Sequence, residues 1–231
     1  MAVVETKAVV KDYVENGQVV TQALRGVDLV VEKGEFMALA GPSGSGKTTL
    51  LNLIGGLDAA TSGTVKVDGR ELGALSRADL ADLRRDRIGF VFQSYNLIPV
   101  LTAAENAEYV LELKGMAKAE RRAKVKALFE RMGLGALMNT RPLKMSGGQQ
   151  QRVAVARAIA PQPAVVLADE PTANLDQKTG HELVSMMREL NREQGVTFIF
   201  STHDPMVLEH ADRVVRLVDG KIVADERKPK P

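Results

Sequence analysis

Phe36-Met37-Ala38-Leu39-Ala40-Gly41-Pro42-Ser43-Gly44-Ser45-Gly46-Lys47-Thr48-Thr49 is the stretch whose reading decides the fold. Its first five residues are apolar without a break, as in a strand buried on both faces, and the apolar run from Thr49 to Ile54 reads as a helix. Between them, Gly41 to Thr48 meets the spacing G-x-x-x-x-G-K-[ST] at every fixed position, in the strand–loop–helix context that the motif requires. Glycines in such a loop let backbone N–H groups turn inward on phosphate oxygens, and the start of the following helix favours an anion. Lys47 supplies charge to the β- and γ-phosphates, and Thr48 offers a hydroxyl to Mg²⁺.

Working outward, short apolar runs recur at Ile88 to Phe92, Ala164 to Ala168, Phe198 to Phe200 and Val214 to Val218, and each reads as a strand. Asp68-Gly69 and Asp219-Gly220 sit between β-branched residues and predict two-residue hairpins, so antiparallel pairing accompanies the parallel core. From Thr102 to Ala160 strand runs vanish. Thr102-Ala103-Ala104-Glu105 has capping-box spacing, and Val125, Leu128, Phe129 and Met132 fall on one helical face. The expected fold class is α/β: a P-loop NTPase core with a mainly parallel sheet, an N-terminal antiparallel β part and an inserted helical subdomain. A single domain is expected over 1–231, with a core of about 1–95 and 161–231 and a helical subdomain of about 96–160. The polar stretch from Asp225 to Pro231 reads as a frayed tail.

The run Ala164-Val165-Val166-Leu167-Ala168 delivers two carboxylates, Asp169 and Glu170, at its C-terminal end, where open α/β sheets place their sites. Beside a phosphate loop these assume distinct tasks: Asp169 holds the metal, directly or through its water, and Glu170 orients or deprotonates the attacking water. Taken alone, the pair would be an ordinary solvated strand end.

Bulk composition narrows the partners. The chain has 231 residues, 45% of them hydrophobic, enough for a sizeable core and too many for a disordered segment. Its net charge of +2, with the signs interspersed, makes no case for nucleic acid or anionic lipid. Without Cys, disulfides and thiolate metal sites are excluded. The Met1 end carries Glu5, Lys7, Lys11 and Asp12, unlike a secretory leader, so the mature chain is expected to start there. No apolar run approaches the ~20 residues that span a bilayer, so no direct membrane insertion is expected and a membrane role must come through a partner.

Met145-Ser146-Gly147-Gly148-Gln149-Gln150-Gln151-Arg152, just before the Asp169 strand, resembles the signature of ABC ATPases, with Met145 where Leu is usual. Ser146 and its glycines open a helix running to about Ile159, whose N-terminus suits a γ-phosphate. The resemblance covers nearly the whole chain and implies further roles. Gln93 is similar to the Q-loop glutamine that senses Mg²⁺ and the partner subunit. Ala173-Asn174-Leu175-Asp176 is similar to the D-loop, His203 to the switch histidine on the γ-phosphate, and Tyr13 to the aromatic that stacks on adenine. Catalytic roles thus fall on Glu170, His203 and Gln93. Metal ligation falls on Thr48, Gln93 and Asp169. Nucleotide contacts fall on Tyr13, Gly41 to Thr49, Ser146, Gly147, Gly148, Gln149 and Asp176, with ATP and Mg²⁺ as the ligands.

In that family the signature of one cassette completes the site of another, so the resemblance implies a head-to-tail dimer with a second copy or a homologous cassette. Gly55-Gly56-Leu57-Asp58, Asn96-Leu97-Ile98-Pro99, Leu101-Thr102-Ala103-Ala104-Glu105-Asn106 and Ala168 to Asp176 are similar to the bacterial lipoprotein-release and macrolide-efflux group, although Ala173 stands where that group often has Gly. Glu15 to Thr21 is similar to the group's longer N-terminal hairpin. This implies integral membrane permease partners and a cytoplasmic location on the inner face of the membrane. Two alternatives stay open: a soluble ABC switch protein without transport, and a regulatory cassette that only binds ATP. The first usually has two cassettes or a coiled coil; the second usually lacks a Glu, His or Gly that is present here. His181 and His210 receive no role, and Arg84-Arg85-Asp86-Arg87 reads as a solvated face. The apolar loop after Gln93 is expected to present Tyr95, Leu97 and Ile98 in a groove for a short helix of the membrane partner, with Leu101 tucked beneath the Thr102 cap.

Overall fold

The computed structural model describes residues 1–228. The chain begins with β1 (Ala2–Glu15) and β2 (Gln18–Glu32), an antiparallel pair closed by Asn16-Gly17. Then come β3 (Phe36–Ala40), α1 (Lys47–Ile54), β4 (Ser62–Val67), β5 (Arg70–Glu71), α2 (Arg77–Arg87) and β6 (Ile88–Val91). Helices α3 (Ala103–Leu113), α4 (Lys118–Arg131) and α5 (Gly147–Ile159) follow. The chain closes with β7 (Val165–Asp169), α6 (Gln177–Gln194), β8 (Phe198–Ser201), α7 (Pro205–His210), β9 (Arg213–Val218) and β10 (Lys221–Arg227).

Two sheets result. A four-stranded antiparallel sheet has the order β2-β1-β4-β5, and a six-stranded sheet the order β10-β9-β3-β8-β7-β6. In the second, β9, β3, β8, β7 and β6 are parallel and β10 returns antiparallel on the edge. The mixed α/β architecture with an antiparallel N-terminal part is therefore present as expected. All of β3 is buried, matching its unbroken apolar run. Phe36, Phe198 and Phe200 meet beneath it, with ring centroids 4.7–5.7 Å apart.

Hairpin chemistry sets the turns. Asp68 and Gly69 have φ of 49° and 76°, and Asp219 and Gly220 have 46° and 74°, the doubly positive pattern of a type I′ turn. Asn16 and Gly17, at 50° and 77°, repeat it in the first hairpin. Helix α3 begins with the full Thr102–Glu105 capping box. The helices α3 to α5 share one apolar cluster with a face of the parallel sheet, Val125 and Phe129 packing into the same core as Phe36 and Val166.

One expectation needs correction. Asp225, Glu226 and Arg227 are not frayed: they pair with Val215, Val214 and Arg213 in β10, while Pro229 to Pro231 lie outside the described residues. The loop after Gln93 leaves Tyr95, Leu97 and Ile98 partly exposed, as expected, and is also held from beneath. Leu97 is half-buried and packs against the main core, Tyr95 turns its hydroxyl toward Gly147, and Asn106 ties down the Ile98 backbone through both its N–H and its carbonyl. Fully buried Asn106 also bonds the carbonyls of Leu101 and Thr102, so one amide fixes the loop. Among the described residues no helix is long and apolar enough to cross a membrane.

Candidate active site

Parallel pairing alone brings the chemistry to one edge. Val91 pairs with Ala168, so Gln93 emerges beside Asp169 and Glu170. Asp169 pairs with Ser201, which sets Glu170 beside Thr202 and His203. Leu39 also pairs with Ser201, so the loop that begins at Gly41 opens onto the same edge. These ends frame a cavity of about 670 Å³ lined by Pro42 to Thr49, Gln93, Glu170, Ala173 and His203, with Tyr13, Thr21 and Ala23 on its far wall.

The loop is shaped to expose its amides. Gly46 has φ of 102°, and a Cβ there would stand 2.5 Å from the Ala23 carbonyl, so no other residue fits without displacement. Lys47 is buried, and its Nζ donates to the carbonyls of Gly41 and Pro42 at 2.8 and 3.0 Å. The ammonium is thus held over the loop by neutral acceptors, with no carboxylate paired to it among the described residues.

Thr48 Oγ1 donates to both oxygens of Asp169, at 3.1 and 3.2 Å. This hydroxyl and carboxylate, with Gln93 lining the same cavity as Thr48, offer oxygen donors of the kind that suit Mg²⁺. Glu170 sits at φ of 43°, an uncommon region for a non-glycine residue, and its N–H is tied to the Ser201 carbonyl. Its carboxylate accepts from Thr202 Oγ1 at 3.1 Å and pairs with His203 Nδ1 at 2.8 Å. Backbone strain at a carboxylate held by two neighbours makes Glu170 a candidate functional position.

Tyr13 is 39% exposed and faces the cavity from β1. Its hydroxyl donates to Asp58 at 3.3 Å, and Lys11, itself paired to Asp58, lies 4.9 Å from the ring centre. Thr21 stands directly across the hairpin from Tyr13, and Ala23 follows two positions on. Neither was legible in the sequence, for their only signal is cross-strand register.

Ser146, Gly147, Gly148, Gln149 and Asp176 do not line this cavity. Ser146 and Gln149 form a reciprocal capping box at the start of α5, and Tyr95 approaches so closely that its hydroxyl would stand 2.7 Å from a Cβ on Gly147. Asp176 caps α6, and the Thr179 hydroxyl and amide hold its carboxyl below the usual range. His181 and His210 meet edge to face at 5.2 Å, and among the described residues no group of three metal-capable side chains forms. Of the arginine cluster, Arg84 donates to the Gly56 carbonyl, Arg85 pairs with Asp82 and Asp86, and Arg87 pairs with Asp68.

Comparison with known proteins agrees with this geometry. A family model described as ABC transporter matches residues 24–173. The chain is 51% identical over 223 residues to the lipoprotein-releasing system ATP-binding protein LolD of Anaeromyxobacter dehalogenans, covering 96% of this chain and 93% of that one. It is 48% identical to the macrolide export ATP-binding/permease protein MacB of Marinobacter nauticus, covering 90% of this chain but 32% of that longer protein. Among solved structures it resembles the dimeric post-hydrolysis state of the ATP-binding cassette MJ0796 bound to ADP and Pi. There the TM-score is 0.89 and the identity 42%, with 99% of this chain and 100% of the other covered.

Proposed function

The chain belongs to the ABC transporter family as an ATP-binding, ATP-hydrolysing subunit, and from that premise we propose that two copies close head to tail on two ATP molecules and drive an integral membrane permease of the lipoprotein-releasing or macrolide-exporting kind. The observation that carries this reading is a divided site. The cavity gathers the phosphate loop, Gln93, Glu170 and His203, while the capped α5 N-terminus at Ser146 to Gly148 does not line it. A second copy related by a two-fold axis would bring that N-terminus over the open side of the cavity, and the symmetry makes both sites equivalent.

Hydrolysis follows from the residues in place. Loop amides and Lys47 hold the β- and γ-phosphates, and Tyr13 carries the base. Glu170, oriented by Thr202 and His203, accepts a proton from the attacking water as its oxygen bonds to the γ-phosphorus and the bond to the ADP oxygen breaks. Thr48, Asp169 and Gln93 would hold Mg²⁺, which when bound supplies charge compensation at the phosphate oxygens. Loss of the γ-phosphate contacts then lets the two copies part, and this opening moves the permease. The subunit would work in the cytoplasm, on the inner face of the membrane, through that permease.

Glu170→Gln tests the reading, because the amide keeps the shape and loses the base. Turnover is expected to fall by roughly 10²-fold or more, while Mg-ATP shifts the variant to twice its mass on a sizing column. A variant that stays monomeric with saturating Mg-ATP, or hydrolyses at the parent rate, would refute the composite site.

A further inference from the structure

Gln151 lies on the second turn of α5 and is fully buried, at 0% exposure. Its single amide nitrogen donates twice, to the Phe92 carbonyl at 3.2 Å and to the Pro171 carbonyl at 2.8 Å. Phe92 precedes Gln93 and Pro171 follows Glu170, so one side chain bridges the two backbone segments that carry the polar groups flanking the γ-phosphate position. The reverse orientation of the amide would set its oxygen against two carbonyl oxygens, so the network admits only this one. The oxygen left over, Oε1, is buried and has no partner among the described residues. Methionine has a similar length and would be spared that cost; packing alone therefore does not account for an amide at this position.

Neighbouring contacts have the same direction. Asn174 Nδ2 donates to the Gln93 carbonyl at 2.9 Å, and Arg157, further along α5, donates to the carbonyls of Tyr95 and Asn96 at 3.0 and 2.5 Å. The Gln93 segment is thus gripped along its length by side chains from outside it. Two of these grips, Gln151 and Arg157, come from the helix whose N-terminus is Ser146 to Gly148. Of these two, Gln151 also reaches the Glu170 side, the segment from which Asn174 grips the Gln93 carbonyl.

We propose that Gln151 is a positioning residue for hydrolysis: its amide sets the separation of Gln93 and Glu170 across the phosphate cavity and locks that separation to helix α5. The inference rests on the composite ATP site proposed above. Under it, α5 presents its N-terminus to the nucleotide of the second copy while Gln151, one turn on, holds the catalytic groups of its own copy. Closure over one ATP is then transmitted through a rigid helix to the water-activating geometry at the other.

Gln151→Met is the test, with Gln151→Leu as a second variant in case the thioether packs poorly. With either, the KM for ATP is expected to stay within about twofold of the parent while kcat falls about tenfold or more; the melting temperature should drop by only a few degrees, from the Phe92 and Pro171 carbonyls that lose their donor. In a Glu170→Gln background the variant should still form the Mg-ATP dimer at the parent ATP concentration, locating the defect in the chemical step. An unchanged kcat in both variants would reduce Gln151 to a space-filling role. So would a fall in kcat that tracks a loss of melting temperature and a rise in KM. Failure of the underlying site reading looks different: Glu170→Gln alone would then retain turnover or fail to dimerise.

Discussion

Tyr13 is braced before any base meets it. Asp58 holds its hydroxyl, Lys11 covers part of the ring, and the hairpin register fixes its height over the loop at Gly46. A stacked aromatic is worth about 1–3 kcal/mol per base, so Tyr13→Ala is expected to weaken ATP binding by roughly 5- to 150-fold. Titration with a fluorescent ATP analogue and its GTP counterpart checks this. Both should weaken in parallel, since a ring reads the face of a base and not its edge, and unaltered affinity for both would remove the stacking role. At this scale the sequence was legible wherever a residue is marked by its own chain neighbours: the loop from Gly41 to Thr48 and the Asp169-Glu170 pair announce themselves. Gln151, Asn106 and Thr21 do not. Their work is done by hydrogen bonds or register to segments far away in the chain, and a glutamine or asparagine inside a helix looks the same whether or not it holds a distant carbonyl.

Elements were legible where pattern and punctuation agree. β3 is marked by its apolar run, α3 by its capping box and the start of β10 by the Asp219-Gly220 turn, while the end of β10 was missed because Asp225, Glu226 and Arg227 read as a polar tail. What holds them is tertiary. Arg213, buried on β9, forks onto both oxygens of Asp225 and also reaches Glu35 and the Val30 carbonyl. That fork holds the Asp225 carboxyl below the usual carboxylate range. A depressed folded value means that the stabilisation is complete above the unfolded value, near 3.9, and is lost as pH falls through the lower folded one. The carboxylate is 42% exposed, so after solvent screening the pair contributes no more than ~1 kcal/mol. Asp225→Asn should therefore lower the melting temperature at neutral pH by about 2–4 °C, and the deficit should shrink progressively as the pH falls below the unfolded value near 3.9. Thermal unfolding across that range checks it; a deficit unchanged at low pH would assign the stabilisation to packing.

At the scale of the whole molecule, a motor subunit must pass its movement to whatever it drives, and the surface best placed for this is a groove of about 360 Å³ between the parallel sheet and the helices. It is lined by Leu57, Phe90, Phe92, Asn96, Val110 and Arg157, with Arg84 and Arg85 at its rim. Leu57 is 49% exposed, an uncovered apolar side chain beside aromatic rings. Burial lowers the pKa of the Arg157 guanidinium, which bonds only the Tyr95 and Asn96 carbonyls and has no carboxylate partner among the described residues. An amphipathic helix carrying an acidic residue would cover the apolar floor and complete that cation, and a permease loop of this chemistry is the occupant that fits the proposed function. Since the same Arg157 bonds the segment after Gln93, displacement of α5 on ATP closure would shift the groove with it. The sequence points to the adjoining surface on Tyr95, Leu97 and Ile98, which are partly exposed, although Leu97 also packs against the core. The two surfaces make opposite predictions. Leu57→Asp should leave ATP affinity and melting temperature near the parent values and abolish co-purification with the permease from detergent extracts. Leu97→Asp, placing a charge against the core, should lower the melting temperature and ATP binding together. If Leu57→Asp still co-purifies with the permease at the parent level, the groove is not the docking surface, and the coupling through Arg157 falls with it.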